Sequence, residues 1–84
     1  MRMEWDHETD ARDLLCPLPV LKARKQLTAM ETGAVLRLVA TDPAAVVDVP
    51  HFCAEGRHEL IGMTTSGSET AAAEHVFLIR KGQP

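Results

Sequence analysis

Apolar residues along this chain follow two rhythms, alternation and a spacing of three to four, and the switches between them mark the expected elements. From about Trp5 to Ala11, the residues Trp5, His7, Thr9 and Ala11 alternate with Asp6, Glu8 and Asp10, which predicts a short strand at a sheet edge or beside one neighbour. From Pro17 to about Met30, Val20, Ala23, Leu27 and Met30 fall on one helical face, with Lys22, Lys25 and Gln26 largely on the other. Gly33 closes that region, and Ala34 to Ala40 returns to alternation, with Leu36, Leu38 and Ala40 opposite Val35, Arg37 and Val39. Asp42 is the expected cap of a second helix, with Pro43 at its first position; Pro50 is expected to kink or split that helix before Gly56. A third strand is expected from His58 to Thr65, a turn over Ser66 to Glu69, and a fourth strand from Glu74 to Lys81.

The order strand, helix, strand, helix, strand, strand predicts an α/β (α+β) two-layer sandwich. Both helices lie on one face of a four-stranded mixed sheet, with a right-handed crossover between parallel neighbours. The 84 residues carry no repeat, low-complexity stretch or linker, so a single domain over 1–84 is expected. A chain of this length buries about 60–65% of its unfolded surface, enough for one modest core. With only Trp5, Phe52 and Phe77 as aromatics, aliphatic side chains must fill most of it.

Nine basic against twelve acidic residues give a net charge of −3, which argues against a protein built to bind nucleic acid or an anionic membrane. No run resembles a signal peptide or reaches transmembrane length, so a cytoplasmic monomer is expected. In that compartment the two cysteines are expected to be reduced.

The candidate chemistry lies at Cys16-Pro17-Leu18-Pro19. Pro17 suits a first helical position and disfavours helical dihedrals at Cys16, so the thiol is expected at or just before the helix N-cap. There the helix dipole favours a thiolate, although Pro17 and Pro19 remove two N–H donors and Pro19 distorts the first turn. Rigid presentation of the thiol is therefore expected to matter at least as much as a lowered pKa. Arg12, Lys22, Arg24 and Lys25 surround the motif in sequence, as a docking patch for acidic partners or an ordinary solvated face. Cys53 suits a small core residue, the alternative being a resolving thiol for Cys16. His51, Cys53 and His58 match no strong zinc spacing, and there is no phosphate-binding glycine loop, so neither metal nor cofactor is expected.

The Cys-Pro-x-Pro stretch resembles the mark of the TusA/SirA family of small sulfur-carrier proteins. The similarity extends to Asp10, which stands where the family tends to keep an acidic residue, and to Thr41-Asp42-Pro43-Ala44. Asp48-Val49-Pro50-His51-Phe52-Cys53, His58-Glu59-Leu60 and Leu78-Ile79-Arg80-Lys81-Gly82 resemble further family stretches, so that about 10–82 is covered. Arg12 and Asp13 depart from the leucine and glycine that members often have. The resemblance implies that Cys16 accepts sulfane sulfur from a cysteine desulfurase or rhodanese-like donor. Cys16 then passes it to an acceptor protein serving tRNA thiolation, cofactor biosynthesis or sulfur oxidation, with Pro17, Pro19 and Asp10 positioning the motif. It implies a carrier with a persulfide-forming cysteine rather than a free-standing multiple-turnover enzyme. A Cys16/Cys53 redox switch and a non-catalytic regulatory module are the alternatives.

Overall fold

The computed structural model describes residues 4–67 and 73–82. Its elements are β1 (His7–Ala11), α1 (Leu18–Thr28), β2 (Val35–Ala40), α2 (Ala45–Gly56), β3 (Glu59–Ser66) and β4 (Glu74–Arg80). They form one four-stranded mixed sheet in the order β1-β2-β4-β3. β1 runs parallel to β2 and lies at the edge, as its short alternating pattern predicts, while β4 is antiparallel to both β2 and β3.

Alternation decides which side chains meet the helices. Leu36, Leu38 and Ala40 on β2 are paired with Ile79, Phe77 and His75 on β4, and Ala40 with Ala11 on β1. Most of these join Ala23, Leu27 and Met30 from the α1 region, and Ala45, Val49 and Cys53 from α2, in one buried cluster. Phe77 and Leu27 are among its largest fully buried members. Each such side chain contributes roughly 1.5–3 kcal/mol by leaving water. The opposite face carries cross-strand ion pairs at paired positions, Arg37 with Glu8 at 2.6 Å and Arg80 with Glu59 at 2.8 Å. Arg37 also lies over the Trp5 ring, 5.0 Å from its centre, just outside β1.

One expectation about α2 is corrected and another is narrowed. Asp42 does not cap it directly. The Asp42 and Pro43 carbonyls accept the amides of Ala45 and Val46 in a preceding turn, and the α-helix begins two residues after Pro43. Pro50 neither ends nor splits the helix, which runs from Ala45 to Gly56. Proline removes the amide that would have bonded to the Val46 carbonyl, but Ala45, Val49 and Cys53 still share a buried face on the sheet, and that packing offsets the loss. β3 contains an irregularity the alternation did not signal: Leu60 pairs with Ile79 but Gly62 with Leu78, leaving Ile61 as an extra residue. Ser66 of the expected turn belongs to β3, while Ser68 and Glu69 lie outside the described residues.

Candidate active site

Because β1 and β2 are parallel, both end at the same edge of the sheet, and each hands the chain to a helix there. The two connections are tied together. The amide of Arg12 donates to Asp10 Oδ1 at 2.9 Å, and Asp13 then takes a left-handed φ of 65°. A glycine would adopt that conformation freely, whereas an aspartate there is strained. The Asp13 amide donates to Thr41 Oγ1 at 2.8 Å and the Cys16 amide to Asp42 Oδ2 at 2.6 Å, while Asp42 Oδ1 accepts the Ala44 amide at 3.1 Å. Asp42 therefore joins the thiol loop to the entry of α2 through both carboxylate oxygens.

Cys16 is exposed and stands immediately before Pro17, the N-cap of α1. Pro19 is buried and anchors the first turn. The peptide bond between Cys16 and Pro17 is cis. The expectation of a dipole-assisted thiolate is overturned. Pro17 and Pro19 have no N–H, and the Leu18 amide is donated to the Leu15 carbonyl at 2.8 Å, so the helix start has few donors to offer. The thiol instead feels the carboxylate of Asp48, in the first turn of α2. Asp48 is the main cause that raises the thiol's pKa above the ordinary cysteine value, reinforced by reduced hydration and by the charge of Asp42.

Asp48 was present in the sequence without an assigned role, because only the docking of α2 beside the thiol loop brings it there. Leu15, Leu18, Leu21 and Val47 are also close in sequence to this region and remain exposed, Leu15 by 70% and Val47 by 71%. None belongs to the buried helical faces, so periodicity passed over them.

The four cations expected beside the motif do not converge on it. Arg12 is held at 3.0 Å by Glu74 and at 3.3 Å by Asp10. Lys22 Nζ donates to the Asp10 carbonyl, and with Lys25 lines a groove along β1. Arg24 faces a separate groove with Phe52, His58 and Lys81. Asp10 accepts the Arg12 amide, which is the main reason its carboxyl is held below the usual carboxylate range.

Cys53 is packed in the core, where burial pushes its thiol up to about 11. It is a poor nucleophile at neutral pH. The histidines are engaged separately: His51 with Glu55, His58 with the Gly82 amide and His75 with Thr65. Among the described residues, no group of three or more potential ligands is gathered to hold a metal.

The family model described as sulfurtransferase TusA matches residues 7–81, almost the whole chain. The chain belongs to the TusA family. The fold is shared with the crystal structure of a SirA-like protein from Desulfitobacterium hafniense, which is 18% identical. That match has a TM-score of 0.65 and covers 93% of this chain and 100% of the other. Membership in the TusA family brings sulfur transfer as the general activity, carried out between donor and acceptor proteins.

Proposed function

We propose that this protein is a sulfur carrier whose loading point is Cys16. The observation that carries the reading is the placement of Cys16, an exposed thiol in the Cys-Pro-x-Pro turn of a TusA-family fold. The Cys16 thiolate attacks the terminal sulfur of a donor persulfide, the donor S–S bond breaks, and the donor cysteine departs as a thiolate. The sulfane sulfur then rests on Cys16 as a new persulfide, with no net oxidation or reduction. Delivery reverses the roles, an acceptor thiolate taking the terminal sulfur. A desulfurase or rhodanese-like enzyme supplies the donor, and the acceptor serves tRNA thiolation, cofactor biosynthesis or sulfur oxidation. The exchange fits the cytoplasm, where Cys16 stays reduced between loadings. No helix among the described residues is long and apolar enough to cross a membrane.

Incubation with a cysteine desulfurase and cysteine is expected to add one sulfur atom to the intact protein, read by mass spectrometry and lost on reduction. Cys16→Ser is expected to remain unmodified, whereas Cys53→Ala is expected to load. Loading of Cys16→Ser, or failure of the wild type to load, would sink this reading.

A further inference from the structure

Between β1 and the thiol the chain makes a tight turn whose conformation does not suit its residues. The Leu14 amide donates to the Ala11 carbonyl at 3.3 Å, which places Arg12 and Asp13 at the two central positions of a β-turn. Asp13 has a φ of 65° and Arg12 a negative one, the type II pattern, in which the third residue is usually glycine or asparagine. Any other residue held there is strained and persists only where the surrounding contacts over-determine it. Two sets of contacts do so. On one side the Asp13 amide donates to Thr41 Oγ1 at 2.8 Å. On the other, Arg12 is held through main chain and side chain together. Its amide donates to Asp10 Oδ1 at 2.9 Å, its guanidinium lies 3.3 Å from the same oxygen, and its Nε and Nη2 fork onto the two Glu74 oxygens at 3.0 and 3.4 Å. Glu74 opens β4, and β2 lies between β4 and β1, so the fork reaches across a whole strand.

We infer that Arg12 is a positioning residue for Cys16, its fork on Glu74 and Asp10 holding the strained Asp13 turn from which the chain runs to the thiol. The inference rests on the sulfur-carrier reading for its consequence in transfer. Only Leu14 and Leu15 separate Asp13 from Cys16, whose amide is fixed on Asp42 at 2.6 Å. A turn free to relax at Asp13 would pull on that bond and spread the directions in which the thiol points. Attack on a persulfide sulfur held by another protein depends on that direction, because the reacting atoms must be aligned as well as close. An isolated surface ion pair would do little, since water and salt screen it. Here the forked geometry, a second carboxylate and the strain at the next residue concentrate its effect on one turn.

Four variants test this: Arg12→Met, which keeps a long apolar stem but removes the fork, Glu74→Ala, Asp13→Gly, and Asp13→Gly combined with Arg12→Met. Hydrogen exchange followed by NMR compares the Asp13 and Cys16 amides with that of Phe77 in the middle of β4, which reports the stability of the whole fold. Arg12→Met and Glu74→Ala are each expected to lower protection at Asp13 and Cys16 relative to Phe77 by about two- to fivefold, the range of an exposed ion pair. Desulfurase-driven loading of Cys16 is expected to slow by a similar factor relative to alkylation by iodoacetamide, a small neutral reagent that makes little demand on orientation. Asp13→Gly removes the strain, so adding Arg12→Met to it is expected to change neither readout. Protection unchanged, or lowered equally at Phe77, would overturn the inference. So would an Arg12→Met effect of the same size in the Asp13→Gly background, which would mean that Arg12 acts directly on the donor enzyme. If the amides respond as expected and the wild type never loads, the clamp on the turn stands and the carrier reading falls. If the wild type loads while the amides do not respond, this inference alone falls.

Discussion

The two cysteines show how far identical side chains can diverge within one small fold. Cys16 is exposed and its thiol is favoured by neighbouring carboxylates; Cys53 is favoured as a thiol by burial alone. For Cys16 the consequence is kinetic. Its alkylation by iodoacetamide is expected to follow a pH profile displaced upward from that of a free cysteine, and Asp48→Asn, by removing a negative charge, is expected to move it back down. For Cys53 the consequence is stability. A thiol whose folded pKa lies above its unfolded value contributes fully below the unfolded value, about 8.5, and loses that contribution as pH rises through about 11. Urea midpoints measured from pH 8 to 11 are therefore expected to fall, and to fall less in Cys53→Ala after allowance for its lower starting stability. A pH slope identical in both proteins would count against this assignment.

Among the elements, α2 carries most of what periodicity could not anticipate. Pro50 lies inside it, where proline typically costs about 3 kcal/mol relative to alanine. Pro50→Ala is expected to stabilise the protein by roughly 1–3 kcal/mol, seen as a higher thermal midpoint, provided the helix axis does not shift. The entry to α2 is equally specific, because Asp42 bonds to the amides of Cys16 and Ala44. Asp42→Ala is expected to cost about 1–2 kcal/mol and to loosen the thiol loop, raising hydrogen exchange at the Cys16 and Ala44 amides. Protection unchanged at both amides would refute that link. At the far end of the sheet Gly82 passes so close to the Arg57 carbonyl that an added Cβ would lie 1.6 Å from its oxygen, so a side chain there requires the backbone to move.

At the scale of the whole molecule, stability depends on one buried layer between the helices and the sheet. A chain of this length is expected to have roughly 4–12 kcal/mol of net stability. Phe77 is fully buried at the centre of that layer, paired across the sheet with Leu38 and Met63. Phe77→Ala is expected to remove about 3–5 kcal/mol, a large part of the total, and denaturant unfolding would show it as a markedly lower midpoint.

The amino-acid sequence by itself determined the fold class and the candidate nucleophile. Alternation in Leu36, Leu38 and Ala40 and the three-to-four spacing of Ala23, Leu27 and Met30 are local consequences of strand and helix geometry, so the sheet, the helices and their buried faces were legible. Cys16 was legible because its prolines act on adjacent dihedrals. The electrostatics of the thiol were not. They arise from Asp48, which lies 32 positions further along and arrives only when α2 packs beside the loop after β1. The fates of Arg12 and Lys22 were equally hidden, for their partners depend on which backbone passes within reach. Short-range sterics placed the thiol before its helix, while long-range packing decided which charges surround it.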